Sequence, residues 1–304
     1  MMFRRLTKWT INAFLRFLRA RLGNVDVAGS RRWAARVDWL LGHSAAEVTT
    51  TRVDIGACTA TWIDVPGAKP DRVILYIHGG AFIMETPRIH ATLLAQLCRG
   101  AKARGLMVAY RLAPEHKFPA AMDDCLAAYR YLLDSGIASS QIVIAGDSAG
   151  GNLALVTLQS VRDAGLPLPC GAVALSPVTD ATFSGDSMQR NDGLDPLFTR
   201  AIVGKLAPLY VPENRANEPY LSPLFGSLEG LPPTLLMVGS SELLLDDSVR
   251  YATRARDVTL EVWHDMPHAF PAFPMLAESG EAIERIGEFM TRCFARSTPG
   301  TIHA

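Results

Sequence analysis

Ile142-Val143-Ile144-Ala145-Gly146-Asp147-Ser148-Ala149-Gly150-Gly151-Asn152-Leu153-Ala154 is the stretch on which the reading of this chain turns. A β-branched run stops at Gly146, a serine follows between small residues, and an Ala/Leu-rich helical pattern begins at once. Strand, sharp turn and helix in that order make a nucleophile elbow with the spacing G-x-S-x-G. The spacing has a physical cause. The turn holds its serine in a strained conformation, and the glycines leave room where the strand and helix backbones close up. Ser148 then stands at a helix start, where the backbone N–H of Ala149 points at a developing oxyanion. A lone motif of this kind occurs by chance, so its context decides. Upstream, the apolar strand at 73–77 runs into His78-Gly79-Gly80-Ala81-Phe82, and a glycine pair after a strand is what an oxyanion loop requires.

Four motifs together carry a family resemblance: His78-Gly79-Gly80, Tyr110-Arg111-Leu112-Ala113-Pro114-Glu115, Phe118-Pro119-Ala120-Ala121 and Gly146-Asp147-Ser148-Ala149-Gly150-Gly151-Asn152. With them the chain resembles the hormone-sensitive lipase family of α/β-hydrolases, notably its bacterial esterases. The match runs from about the second strand to the C-terminal helix.

Composition bounds the rest. The chain has 304 residues, 49% hydrophobic and 20% charged, enough to bury a substantial core, and no linker-like stretch divides it. A formal net charge of zero argues against a general nucleic-acid binder. Cys58, Cys98, Cys125, Cys170 and Cys293 are odd in number, sit in apolar stretches and form no C-x-x-C pair. They read as small buried side chains in a reducing compartment, and the expected location is cytoplasmic.

Residues 1–42 carry nine basic side chains against Asp26 and Asp38, with apolar residues such as Trp9, Phe14, Leu15 and Leu18 at helical spacing. At least one basic amphipathic helix follows. A secretory signal is disfavoured because Arg16 and Arg19 interrupt the apolar run; a membrane-surface helix fits the pattern. The resemblance implies a third role, preferred here, as a cap segment (residues 1–45) whose apolar face lies over the active site. Residues 48–64 predict an edge hairpin. Strands at 106–110, 142–146, 171–175, 234–238 and 260–263 alternate with helices at 87–99, 120–133, 148–163, 246–256 and 278–294. That alternation predicts an α/β fold, a mostly parallel central sheet covered by helices on both faces. Periodicity weakens from 182 to 231, where prolines are scattered among apolar residues, as suits a second cap segment between two parts of the core, 46–181 and 232–297.

A serine hydroxyl is a poor nucleophile at neutral pH and needs a base oriented by an acid. In this fold the order along the chain is serine, acid, histidine. His264 and His268 follow the last strand, while His303 lies in the C-terminal tail. The resemblance selects His268, leaving His264 as a structural residue at the strand end. It places Glu242 where the family's usual pattern has an aspartate; Asp246 or Asp247 as the orienter is the alternative, their other role being to support the histidine loop. It assigns the oxyanion N–H groups to Gly80, Ala81 and Ala149. The family usually carries glycine where Ala81 stands, and alanine keeps the donor provided its φ is negative. His78, Asp147 and Asn152 read as scaffold. No metal or cofactor motif is present, since His264 and His268 lack the helical glutamate context of a zinc site.

The expected activity is hydrolysis of short- to medium-chain or cyclic (lactone) esters through Ser148, His268 and Glu242, because the chain is also similar to bacterial acetyl hydrolases and monoterpene lactone hydrolases. The alternatives are a non-catalytic small-molecule-binding protein on the same scaffold and a membrane-associated lipase. No integral membrane segment is expected. Pairing into a homodimer through the edge strand or last helix is a further expectation from the resemblance.

Overall fold

A computed structural model describes residues 2–22, 26–42, 47–56 and 58–296; His303 and the last residues of the first expected segment lie outside these. Two helices open the chain, α1 (Met2–Leu22) and α2 (Val27–Leu41), where the sequence called for at least one. They are separate because Asp26 caps the second, accepting from the N–H groups of Ala28 and Gly29.

The core follows as β1 (Thr49–Asp54), β2 (Thr59–Asp64), β3 (Lys69–Ile77), α3 (Pro87–Ala101), β4 (Ala103–Ala109), α4 (Ala120–Asp134), β5 (Ile142–Asp147), α5 (Ala149–Asp163) and β6 (Gly171–Leu175). After α6 (Ser187–Arg190) and α7 (Arg200–Tyr210) come β7 (Thr234–Gly239), α8 (Leu245–Arg254), β8 (Val258–Trp263) and α9 (Ala277–Arg296). The eight strands form one sheet in the order β1-β2-β4-β3-β5-β6-β7-β8. β2 is antiparallel to both neighbours, and every other pair from β4 to β8 is parallel. The sequence places β4 at 106–110, but it starts at Ala103. Lys102 takes a left-handed conformation that ends α3 and turns the chain straight into the strand.

β5 and β6 are buried on both faces, which is why they read as continuous apolar runs rather than alternating ones. Two apolar layers flank the sheet. One joins Tyr129 and Leu132 of α4 and Leu153 and Leu158 of α5 to Val73, Leu75 and Ile77. The other joins Leu94 and Leu97 of α3 and Ile286, Met290 and Phe294 of α9 to Ile74, Tyr76, Val143 and Val173. Ile11 and Leu15 of α1 belong to this second layer, each buried side chain being worth about 1.5–3 kcal/mol.

Candidate active site

Register in the parallel sheet brings the carboxyl ends of five strands together: Ile77 beside Gly146, Asp147 beside Leu175, Leu175 beside Met237, and Gly239 beside Trp263. Each expected site residue sits just past one of these ends. Ser148 has φ +54 and ψ −120, a conformation costly for any residue with a side chain, and is the residue preceding α5. The flanking glycines explain how the turn is tolerated. A Cβ on Gly150 would fall 2.0 Å from the carbonyl oxygen of Ile77, and one on Gly146 would fall 2.3 Å from that of Gly150. Strand and helix touch backbone to backbone here.

Glu242 and His268 meet in the interior, the Nδ1 of His268 lying 2.8 Å from Oε2 of Glu242, with both side chains almost wholly enclosed. The other carboxylate oxygen, Oε1, accepts from the N–H of Gly239 at 2.5 Å and from the hydroxyl of Ser176 at 2.8 Å. All acceptor positions facing protein donors are therefore used, as a buried carboxylate requires. Burial lowers the pKa of His268, but the hydrogen bond and charge of Glu242 outweigh it and the net shift is upward. Nε2 is buried and, among the described residues, has no hydrogen-bond partner. The ring is locked at Nδ1, which leaves Nε2 able to exchange a proton.

Among the described residues Asp246 and Asp247 have no hydrogen bond or ion pair to the histidine loop, contrary to the sequence expectation. Asp246 accepts from the N–H of Ser187 and pairs with Arg190, and Asp247 accepts from the N–H groups of Thr179 and Asp180. α8 points its first turn toward residues 179–190, so these acids brace that segment. His264 is exposed, 3.4 Å from Asp265, and is not packed as a structural residue. His78 is internal to its own loop, Nδ1 lying 2.6 Å from the carbonyl oxygen of Gly79.

Ala81 departs from the condition set on it. Its φ is +52, between Gly80 at +122 and Phe82 at +63. A left-handed alanine costs about 1–2 kcal/mol relative to glycine, and the loop is held against that cost. Ile83 and Met84 donate to the carbonyl of Gly80, and the N–H of Gly79 donates to Oδ1 of Asp147 at 3.0 Å. Among the described residues the N–H groups of Gly80, Ala81 and Ala149 have no protein acceptor.

Sequence reasoning missed Ser176. It follows β6 at φ +48; besides donating to Glu242, its hydroxyl accepts the N–H of Ala269, so it links the acid loop to the histidine loop. Its only local signal is a Ser-Pro pair ending the strand beside the nucleophile strand. Asn191 and Asp195 were missed too. Asn191 donates to the carbonyls of Ser240 and Glu242, and Asp195 accepts the N–H of Leu243.

Ser148 opens on an apolar cavity. Phe198, Val203, Leu206, Tyr210 and Leu221 from residues 182–231 line it, together with Ala81 and Phe82 from the glycine loop. Phe198 also packs edge-on against His268, ring centroids 4.9 Å apart. Among the described residues neither α1 nor α2 contributes to the lining of this cavity. Both helices are tied to the core: Lys8 pairs with Asp265, and Arg31 donates to the carbonyls of Ile83 and Ala113 while forking onto Glu115. Among the described residues no cluster of side chains is arranged to hold a metal ion, and no helix is long and apolar enough to cross a membrane.

Comparison with known proteins agrees with this architecture. Residues 74–272 match the model of a family described as alpha/beta hydrolase fold. An acetyl-hydrolase of Streptomyces hygroscopicus is 40% identical over 78% of this chain and 81% of its own length. Carboxylesterase/phospholipase LipF of Mycobacterium tuberculosis is 33% identical over 97% of this chain and 80% of its own. Among solved structures, an esterase from the bacterial hormone-sensitive lipase family superposes with a TM-score of 0.85 at 37% identity, covering 92% of this chain and 98% of the other. EstE5 soaked with p-nitrophenyl butyrate gives 0.87 at 38% identity, covering 95% and 99%. The chain therefore belongs to the α/β-hydrolase fold, and within it to the bacterial hormone-sensitive lipase family of carboxylesterases.

Proposed function

We propose that this carboxylesterase works through Ser148, His268 and Glu242, on short- to medium-chain or cyclic esters. The observation that carries the reading is the buried Glu242–His268 pair, its unpartnered Nε2 in the same cluster of strand ends as the strained Ser148. Nε2 takes the Ser148 proton as Oγ attacks the ester carbonyl, and Glu242 stabilises the imidazolium while keeping the ring in one tautomer. The developing oxyanion is met by the N–H groups of Gly80, Ala81 and Ala149, which need no reorganisation because the loop and the elbow already hold them. The alcohol leaves with the proton from Nε2. Water then enters, gives a proton to the same nitrogen, and releases the acid. With a lactone the leaving alcohol stays tethered to the acyl group, and deacylation gives a hydroxy acid.

The apolar cavity supports a substrate without charge near the ester. We assign residues 182–231 as the cap segment that shapes it and residues 1–45 as the N-terminal cap segment. The test is hydrolysis of chromogenic esters of rising acyl length, and of simple lactones followed by proton release, with wild type beside Ser148→Ala. The reading expects activity that peaks at short or medium chains and is lost in the variant. Preference for long-chain emulsified lipid would overturn the substrate class, and retained activity in Ser148→Ala would overturn the nucleophile.

A further inference from the structure

His90 is a buried histidine that the mechanism does not use. Its Nδ1 lies 2.8 Å from the carbonyl oxygen of Thr86 and its Nε2 lies 3.4 Å from Oδ1 of Asp147. The Thr86 hydroxyl is also 3.0 Å from Nδ1, but a bare nitrogen would press its lone pair against the nearer carbonyl oxygen, which only accepts; Nδ1 therefore carries the proton and the hydroxyl turns its own hydrogen elsewhere. A neutral ring would then turn a bare Nε2 lone pair toward a carboxylate oxygen, which is repulsive. Both nitrogens facing acceptors require the imidazolium. The same Oδ1 accepts the hydroxyl of Tyr76 at 2.7 Å and the N–H of Gly79 at 3.0 Å. Asp147 thus touches the residue before Gly80 and is itself the residue before Ser148, so one carboxylate ties the glycine loop to the elbow.

We propose that the buried His90–Asp147 pair is a positioning element for the oxyanion loop, setting where the N–H groups of Gly80 and Ala81 point; the inference rests on the esterase reading above. The loop needs such a tether because Ala81, at φ +52, lacks the freedom that glycine has there. Remove the charge on His90 and Asp147 becomes an uncompensated buried anion that must take a proton or turn away. Either change loosens its hold on the N–H of Gly79.

The surroundings agree with a charged His90. Burial by itself raises the pKa of Asp147, but the charge of His90 and the hydrogen bonds from His90, Tyr76 and Gly79 bring it to about 2. Burial lowers His90, and the Asp147 charge more than restores it, helped by the Thr86 carbonyl and by Asp38, which takes the N–H groups of Arg88 and Ile89. The neighbouring His78 ring, 5.5 Å away, is held at about 4 by burial and by the charge of His90, and stays neutral.

The experiment compares wild type, His90→Gln and His90→Gln/Asp147→Asn on p-nitrophenyl butyrate, with kcat expressed per titrated active site alongside KM and Tm. Glutamine donates a hydrogen bond but carries no charge. The expected result is a fall in kcat of about tenfold or more in His90→Gln, KM within about twofold, and partial recovery in the double variant, where a neutral amide oxygen can still accept from Gly79. Wild-type kcat per site with only a lowered Tm would reduce the pair to a structural role and overturn the proposal. If His90→Gln does not fold, ¹⁵N spectra of the wild-type His90 ring decide: both nitrogens protonated at pH 8 is expected, and a neutral tautomer overturns it. Absence of Ser148-dependent hydrolysis in wild type would count against the esterase reading instead, and the ring spectrum would still test the ion pair.

Discussion

Replacing Glu242 by glutamine tests the site most sharply, because the structure counts the hydrogen bonds that the change disrupts. The carboxylate receives His268 Nδ1–H on one oxygen, and the N–H of Gly239 and the hydroxyl of Ser176 on the other. Glutamine keeps one oxygen and puts an NH₂ in place of the other. If its oxygen stays toward Gly239 and Ser176, the NH₂ faces Nδ1 and forces the wrong tautomer. If it turns toward His268, the NH₂ faces two donors in a fully buried pocket. The second arrangement costs about 1–3 kcal/mol for each donor left without an acceptor, so the first should prevail. An orienting acid changed to its amide lowers kcat by about 10⁴ in serine hydrolases of this logic, equivalent to about 5 kcal/mol of transition-state stabilisation. We expect a kcat loss of about 10³–10⁴ for Glu242→Gln with KM nearly unchanged and Tm lowered only modestly. The pH profile adds an independent sign. His268 must be neutral to act as base, so activity rises with pH through its upward-shifted pKa. Without Glu242 the burial that lowers this pKa is opposed only by the lesser charges of Asp195 and Asp147, and the acid limb of the residual activity moves to lower pH. The assay is stopped-flow hydrolysis of a chromogenic ester from pH 5 to 9. A kcat within tenfold of wild type, or an acid limb that stays in place, would refute the role given to Glu242.

Leu206→Trp in the cavity wall should shorten the preferred acyl chain by a few carbons while leaving acetate esters unaffected, as a chain-length series would show; an unchanged profile would place the acyl group elsewhere. Gly150→Ala drives a methyl group to 2.0 Å from the backbone carbonyl of Ile77, where nothing flexible can yield. It should abolish activity and lower Tm, whereas an active, fully stable variant would contradict the elbow geometry. Asp247 is pushed up to about 7 by burial, against the pull of the Thr179 and Asp180 N–H groups, so the folded state binds its proton more tightly than the unfolded chain does. Its contribution to stability therefore falls as pH climbs from about 4 to about 7. Asp247→Asn has no such dependence and should gain in Tm relative to wild type between pH 5.5 and pH 8; a gain in the opposite direction would refute the assignment. Arg31→Ala removes donors to the carbonyls of Ile83 and Ala113 and should speed limited proteolysis within residues 1–42.

Much of the site was legible one residue at a time, because its motifs are local. Gly146-Asp147-Ser148-Ala149-Gly150 announces a turn whose backbone clearance only glycine supplies, and the structure fills that clearance with the Ile77 and Gly150 carbonyls. The break between the first two helices was not read from the sequence, which called only for at least one amphipathic helix over residues 1–42; the structure shows Asp26 capping the second. Ser176 was not legible, because nothing in a Ser-Pro pair says that two loops from other strands will converge on its hydroxyl. The roles of Asp246 and Asp247 were misread for a related reason. Two adjacent acids at a helix start satisfy the helix whichever way it points, and only the packing of α8 turns them toward residues 179–190.

The sequence by itself determined the alternation of strand and helix, the family, the elbow and its serine, and the order in which acid and histidine follow. Each of these is written in periodicity, backbone clearance or chain order, which are properties of neighbours in the chain. Tertiary structure alone decided that Glu242 rather than Asp246 meets His268, that Ala81 is left-handed, that Phe198, Leu206 and Tyr210 line the cavity, and that His90 lies against Asp147. Those facts depend on which strand ends the sheet order places side by side, and a contact between residues dozens of positions apart leaves no local pattern in either segment.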